Sequence, residues 1–164
     1  MPRLKKARAL RPGARVGIAA PAARVDAAVL EAGEQLVREF GYEPVRADDP
    51  TAVCGYFAGD DERRTRELSA LIADPDISAI LCARGGYGCH RYVDRLDPAV
   101  VRSAATLLVG YSDITTLLLW QRCAAGLTGI HGPMLERQGD DHRASMEGLF
   151  ELMAGAVQIG RAHV

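Results

Sequence analysis

One stretch of the chain, residues 106–120, joins two apolar runs through a short polar corner. Its sequence is Thr-Leu-Leu-Val-Gly-Tyr-Ser-Asp-Ile-Thr-Thr-Leu-Leu-Leu-Trp. Leu107–Val109 is predicted to be a buried strand, and the apolar residues after Asp113 continue as in a helix. Gly110 permits a sharp turn between the two, and Ser112 or Asp113 can cap the helix. The pattern therefore predicts a strand–helix unit with Ser112 at its corner.

A serine at such a corner is pushed out of the sheet, beside the N–H groups of the helix start. An exposed Oγ with nearby N–H donors is what a nucleophilic serine needs. The esterase elbow Gly-x-Ser-x-Gly, however, has a small residue two positions after the serine, where this chain has Ile114. The pattern leaves two interpretations of Ser112. It could be a helix cap, which is the commoner role, or a nucleophile.

Strands and helices are predicted to alternate along the whole chain. The predicted strands are Arg15–Ala20, Glu43–Arg46, Ile77–Ala83, Thr106–Val109 and Leu127–His131. The predicted helices are Asp26–Phe40, Asp60–Ala73, His90–Leu96, one that starts at Asp97-Pro98, Asp113–Ala124 and Glu147–Met153. Such alternation predicts an α/β fold, a parallel sheet with helices on both faces. Ligands of such sheets bind beyond the carboxyl ends of the strands.

The third predicted strand runs into a glycine-rich loop, Arg84-Gly85-Gly86-Tyr87-Gly88. Three glycines in four residues let the backbone approach a ligand closely, so the loop could present N–H groups to an oxyanion or to a phosphate. The dinucleotide pattern Gly-x-Gly-x-x-Gly is incomplete, because Arg91 stands at its last position. Arg84 could bind a substrate carboxylate, or it could pair with a structural acid.

Composition is that of an ordinary globular protein with one core: 164 residues, 48% hydrophobic and 25% charged. A net charge of −1 gives no indication of nucleic acid or an anionic membrane as a partner. No apolar run reaches the length of a membrane span, and no secretory signal follows the basic N-terminus. The cysteine spacings match no zinc site and no Cys-x-x-Cys motif, which favours reduced cytosolic thiols.

A serine nucleophile also needs a base. His131, at the end of the fifth predicted strand, is the best placed histidine, although a structural role is commoner for a histidine there. His90 and His142 are weaker candidates, and His163 lies in the last few residues. The sequence contains no convincing Ser–His–acid set.

Four segments, in order along the chain, resemble those of the LD-carboxypeptidase family of serine peptidases, which includes muramoyl-tetrapeptide carboxypeptidases and microcin-immunity proteins. The segments are Gly17–Ala22, Ala83–Gly88, Val109–Thr115 and Gly129–Met134. The resemblance extends from about Val16 to Met153. It implies a flavodoxin-like α/β domain, similar to the N-terminal domain of class I amidotransferases.

The resemblance also implies site residues. Ser112 corresponds to the nucleophile, and the backbone N–H groups of Gly86 and Asp113 to the oxyanion donors. The glycine loop, with Arg84, Gly85 and Tyr87, is expected to bind the substrate. The Glu and His of the triad would come from a C-terminal domain that this chain lacks.

For the intact protein, the family implies a murein peptide substrate, a cytoplasmic role in cell-wall recycling, a homodimer, and no metal or cofactor. Residues 1–158 are expected to form the N-terminal domain. The last six residues, 159–164, resemble a translated sequencing adapter and are expected to be a non-native tail, with a natural short C-terminus as the alternative.

The expected function is release of a terminal D-amino acid, such as D-alanine, from a murein tetrapeptide. The 164-residue chain itself is expected to be inactive, because the catalytic base is expected to lie in the C-terminal domain. One alternative is a microcin-immunity-type hydrolase that cleaves an acyl-nucleotide toxin. Another is a non-catalytic nucleotide- or flavin-binding module that uses the Gly85–Gly88 loop.

Overall fold

Five strands form one sheet in the computed structural model, which describes residues 3–47, 51–137 and 139–156. The strands are β1 Arg15–Ala19, β2 Glu43–Arg46, β3 Ile77–Cys82, β4 Leu107–Gly110 and β5 Ile130–His131. Their order is β2-β1-β3-β4-β5, and every neighbouring pair is parallel. This is the strand order of flavodoxin-like sheets. The predicted α/β fold class is confirmed.

Five α-helices accompany the sheet: α1 Ala27–Glu39, α2 Asp61–Ala73, α3 Pro98–Ala104, α4 Ile114–Trp120 and α5 Asp140–Met153. Two of them begin at an aspartate cap. The carboxylate of Asp60 accepts a hydrogen bond from the N–H of Arg63 at 2.7 Å, and that of Asp97 accepts one from the N–H of Ala99 at 2.7 Å. No described helix is both long enough and apolar enough to cross a membrane.

Each face of the sheet has its own hydrophobic core. Side chains of β3 alternate between the two, as the period of two in a strand requires. Ile80 packs into a core with the apolar faces of α2 and α4, whereas Leu81 packs into a core with those of α1 and α5. The helices therefore cover both faces, and the loops at the carboxyl edge of the sheet are left to build a site.

The fifth strand is shorter than predicted. The prediction of Leu127–His131 is wrong for its first three residues, because the N-terminal segment takes the backbone pairing of Leu127. The N–H of Lys5 donates to the carbonyl of Gly126 at 2.7 Å, and the N–H of Thr128 donates to the carbonyl of Lys5 at 3.0 Å. The basic N-terminus is thus attached to the fold here.

Three helical predictions differ in detail. The segment predicted as a helix over His90–Leu96 forms two 3₁₀ turns, because its backbone hydrogen bonds close over three residues, as in that from the N–H of Arg91 to the carbonyl of Gly88 at 3.1 Å. The helix predicted over Asp113–Ala124 is α-helical only to Trp120 and ends in a π turn. The last helix starts at Asp140 rather than Glu147, because buried His142 extends its inward face by one turn.

Candidate active site at the carboxyl edge of the sheet

Ser112 lies at the corner between β4 and α4, with its side chain exposed. Its φ is +59°, in the left-handed region. Among the described non-glycine residues, only Ser112 and Ala105 adopt this conformation. This conformation costs such a residue about 1–2 kcal/mol, so the surrounding structure holds Ser112 under strain. A strained strand-to-helix turn that exposes a serine Oγ is the geometry of a nucleophile elbow.

The glycine loop reaches the serine corner through Gly85. A Cβ placed on Gly85 would lie 3.0 Å from the Cβ of Ser112 and 3.3 Å from its Oγ. The same position is 3.2 Å from the methyl group of Met134, in the loop after β5. The loops after β3, β4 and β5 therefore meet at Ser112, as expected for the carboxyl edge of a parallel sheet.

Two backbone donors predicted to bind an oxyanion lie in this region. The N–H groups of Gly86 and Asp113 donate no hydrogen bond within the described residues, so both are available to a ligand. Gly86 has a φ of +119°, and a Cβ there would meet the hydroxyl of Tyr56 at 2.6 Å and the Cβ of Ala23 at 2.7 Å. Only glycine fits this close approach. The role of the two donors remains a prediction.

The carboxylate of Asp113 has a role that the sequence did not indicate. It does not cap α4; it accepts a hydrogen bond from the N–H of Cys89 at 2.9 Å. In the described part of the chain the Ser112 hydroxyl likewise makes no capping bond to α4. Asp113 thereby attaches the turn after the glycine loop to the serine corner, and Ser112 Oγ is left free.

Arg84 is held beside the site by an acid. Its Nε lies 3.4 Å from a carboxylate oxygen of Glu136, and it donates to the carbonyl of Arg24 at 3.2 Å. The other oxygen of Glu136 accepts from the hydroxyl of Tyr111 at 3.1 Å. Burial and this hydrogen bond raise the pKa of Tyr111. The structure thus contains the ion pair that was one of the two alternatives for Arg84, and its role toward substrate remains a prediction.

Exposed apolar side chains border the glycine loop. Tyr56 and Tyr87 are 52% and 54% exposed, and we call these two side chains the apolar rim. The Tyr87 hydroxyl lies 3.4 Å from Nε2 of His90, and its ring centroid is 6.3 Å from that of Phe57. The sequence did not indicate Tyr56, because it falls in an irregular stretch without helical or strand periodicity.

None of the described histidines is hydrogen-bonded to Ser112. His131 is exposed at the end of β5, with its ring centroid 6.3 Å from that of Tyr111. His142 is buried in α5. His163 lies outside the described residues. The location of the base for Ser112 therefore stays a prediction.

The two buried cysteines at this edge carry no sign of reactivity. Cys82 and Cys89 are buried, and burial raises the pKa of both thiols, so they are protonated at neutral pH. Among the described residues no group of three or more His, Cys, Asp or Glu side chains is placed to hold a metal ion.

The strain at Ser112 gives a stability prediction. Ser112→Gly is expected to raise the free energy of unfolding by about 1 kcal/mol, because glycine adopts φ near +60° freely. Ala105→Gly, with a φ of +55° away from the site, should act in the same direction. Ser69→Gly in the interior of α2 should instead lower stability by about 0.5 kcal/mol. Urea unfolding measures all three, and a loss of stability in Ser112→Gly would contradict the strain.

Burial of His142 predicts a pH dependence of stability. Burial and the nearby guanidinium of Arg137 lower the pKa of His142, so the native state binds fewer protons than the unfolded state. Stability from this group is therefore complete above the unfolded pKa of about 6.5 and is lost as pH falls through the lower folded value. Urea unfolding between pH 7 and 5 should show this loss, and His142→Gln should flatten it. An unchanged slope in the variant would exclude His142 as its source.

Comparison with known proteins agrees with this geometry. Residues 16–132 match the LD-carboxypeptidase N-terminal domain. A Streptomyces coelicolor protein provisionally named a carboxypeptidase is 42% identical over 129 residues, which are 76% of this chain and 42% of that protein. The murein tetrapeptide carboxypeptidase of Pseudomonas aeruginosa is 33% identical over 153 residues, 86% of this chain and 49% of that protein.

A solved structure has the same fold. MccF in complex with glutamyl sulfamoyl guanosine superposes with a TM-score of 0.85 at 22% identity, over 93% of this chain and 47% of that chain. The chain thus spans less than half the length of these relatives. Its sequence match over residues 16–132 shows that it belongs to the LD-carboxypeptidase family.

Proposed function

We propose that this chain is the nucleophile-bearing half of a serine carboxypeptidase that releases a terminal D-amino acid, such as D-alanine, from a murein peptide. One observation carries the proposal: Ser112 lies on a strained, exposed corner against the glycine loop. The N–H groups of Gly86 and Asp113, which donate no hydrogen bond within the described residues, lie in the two loops that meet there. The name of the Pseudomonas aeruginosa relative supports the substrate class.

In the proposed reaction, Ser112 Oγ attacks the carbonyl carbon of the last peptide bond. The oxygen of that carbonyl becomes an oxyanion and accepts hydrogen bonds from the N–H groups of Gly86 and Asp113. A histidine takes the serine proton and passes it to the leaving amine. The same histidine then takes a proton from water, which attacks the acyl-enzyme, and returns that proton to Ser112 Oγ as the acyl group leaves. The histidine and the glutamate that orients it would belong to the second half of the protein.

The second half is proposed to cover the apolar rim. An exposed cluster of large apolar side chains on a soluble protein commonly marks an interface. The rim borders the glycine loop, where a domain that delivers a histidine to Ser112 would pack. In this proposal residues 1–158 form the N-terminal domain, and residues 159–164 are a non-native tail. The intact enzyme would be a cytoplasmic homodimer without metal, cofactor, nucleic acid or membrane as a partner.

The test joins this chain to the second half of the Pseudomonas aeruginosa relative and measures D-alanine release from a murein tetrapeptide. Ser112→Ala should abolish release, whereas Ser103→Ala, an exposed serine on α3, should leave it unchanged. A fusion that folds, as judged by cooperative unfolding, but releases D-alanine equally well with Ala at position 112 would refute the proposed nucleophile.

A second candidate is a hydrolase of acyl-nucleotide toxins. It is supported by the fold shared with MccF, whose structure was solved with glutamyl sulfamoyl guanosine. Incubating the same fusion with a glutamyl sulfamoyl nucleotide separates the two, since the better substrate identifies the class. The third candidate, a non-catalytic nucleotide or flavin module, predicts a bound nucleotide or flavin colour in the purified chain.

A further inference from the structure

A cavity of about 480 Å³ lies between the serine corner and α5. Tyr111, which precedes Ser112 in the chain, forms part of its wall, and so does Met134, whose methyl group lies beside the Gly85–Ser112 contact. The cavity therefore adjoins the proposed nucleophile. Its lining residues are Tyr111, Pro133, Met134, Arg137, Asp141, His142 and Ser145.

One residue that lines this cavity, His142, has a buried polar atom without a partner in the described part of the chain. His142 is 9% exposed, and within the described residues its Nε2 makes no hydrogen bond. Buried polar atoms in folded proteins are nearly always hydrogen-bonded, so the unpaired Nε2 of a residue that lines a cavity is a candidate contact for a bound molecule. The lowered pKa of His142 keeps the imidazole neutral at pH 7, and Nε2 of a neutral ring can carry a proton and donate it.

Two opposite charges face the same cavity. Arg137 and Asp141 both line it, and neither forms an ion pair with a described residue. The guanidinium of Arg137 lies 6.0 Å from the centroid of the Tyr111 ring. The neighbouring acid, Glu136, is already engaged by Arg84 and Tyr111. A cation and an anion on one wall suit a small ligand that carries both charges.

We propose that this cavity binds the free α-amino acid that the reaction releases. Its carboxylate would lie at Arg137 and accept a hydrogen bond from Nε2 of His142, and its ammonium group would face Asp141. The inference rests on the proposed function, because a carboxypeptidase acts on the residue that bears the free carboxylate. In the substrate, the same cation would select peptides with an unblocked C-terminus.

The test measures binding to the 164-residue chain without turnover. Three probes are titrated, and the imidazole C–H signals of His142, assigned with His142→Gln, are followed by NMR. D-Alanine has both charges, N-acetyl-D-alanine only the carboxylate, and D-alaninamide only the ammonium. D-Alanine should shift the His142 signals and bind at least about tenfold more tightly than D-alaninamide, because a charge-assisted contact is worth that much.

The variants separate the two charges. Arg137→Gln should weaken binding of D-alanine and N-acetyl-D-alanine by about tenfold or more, and Asp141→Asn should weaken binding of D-alanine and D-alaninamide but not of N-acetyl-D-alanine. Asp140→Asn is the matched control for the charge at the start of α5, because Asp140 does not line this cavity, and Arg122→Gln controls for overall charge. Both controls should bind D-alanine as the unchanged chain does.

Absence of any His142 shift with D-alanine up to the order of 10 mM overturns the proposed site. So does an equal loss of binding in Asp140→Asn and Asp141→Asn, which would reflect only the field of the helix. These outcomes leave the proposed hydrolase standing, because peptide cleavage by the fusion is measured separately. Conversely, if D-alanine shifts the His142 signals but the fusion cleaves no peptide, the amino acid site is supported and the proposed carboxypeptidase activity is refuted.

Discussion

The purified 164-residue chain is expected to release D-alanine from a murein tetrapeptide on the order of 10⁶-fold more slowly than the same chain fused to the second half of a relative. Without a base, Ser112 stays a neutral hydroxyl, and loss of the catalytic histidine costs a serine hydrolase roughly that factor in kcat. None of the described histidines is hydrogen-bonded to Ser112. The free N–H groups of Gly86 and Asp113 cannot make up the difference, because they act only on a carbonyl under attack.

His131 provides the sharpest control. It is exposed and lies one loop away from the serine corner, so it is the local histidine best placed to act as a base. His131→Ala should change nothing in the 164-residue chain, and Ser112→Ala should lower its residual activity no further. If the chain alone turns over tetrapeptide rapidly, and both substitutions abolish that turnover, then His131 is the base and no second half is needed for the chemistry.

Local sequence pattern predicted the serine corner well, for a physical reason. An apolar strand, a glycine and an apolar helix fix the path of the backbone within a few residues. Ser112 therefore has to lie at the corner between the strand and the helix. The position of Gly85 against Ser112 followed from the parallel sheet, because strand ends meet at one edge. Only the structure reveals the left-handed φ of Ser112, because a serine in a sequence pattern does not indicate a positive φ.

Contacts between distant parts of the chain were not predictable in this way. Glu136 meets Arg84 and Tyr111 across three loops, and the sequence offers many acids that could have paired with Arg84. Tyr56 reaches Gly86 from a loop thirty residues earlier in the chain. Helical periodicity counts apolar residues, so it missed the inward-facing His142 and started α5 about two turns late.

Arg64 makes another set of such contacts, and it lies against Gly88 of the glycine loop. Its side chain is fully buried, and it pairs with Asp61. It donates to the carbonyl of Pro21 at 3.4 Å, and its guanidinium carbon lies 4.7 Å from the Phe57 ring centroid. A Cβ on Gly88 would lie 2.7 Å from its Nη1. Arg64 thus connects α2 with the loop after β1 and with the glycine loop.

Arg64→Met is expected to lower the free energy of unfolding by about 3 kcal/mol, at the lower end of the cost of breaking a buried ion pair. Methionine fills part of the space but leaves the carbonyl of Pro21 without that donor. We expect the lower end of that range because Asp61 still forms an ion pair with Arg91, whose Nε lies 2.9 Å from its carboxylate. That hydrogen bond is the largest influence that lowers the pKa of Asp61. Urea unfolding followed by the fluorescence of Trp120 measures the loss, which corresponds to a fall in Tm of roughly 6–12 °C.

Arg66→Met on the same helix is the matched control. Arg66 is exposed, so its replacement should change stability by less than about 0.5 kcal/mol. Arg64→Lys keeps the charge but loses the planar fork that reaches Pro21 and stacks on Phe57. It should therefore fall between the unchanged chain and Arg64→Met, and it still gives a measurement if the methionine variant does not fold. Equal stability of the Arg64 and Arg66 variants would mean that the guanidinium, although buried, contributes nothing to the free energy of unfolding.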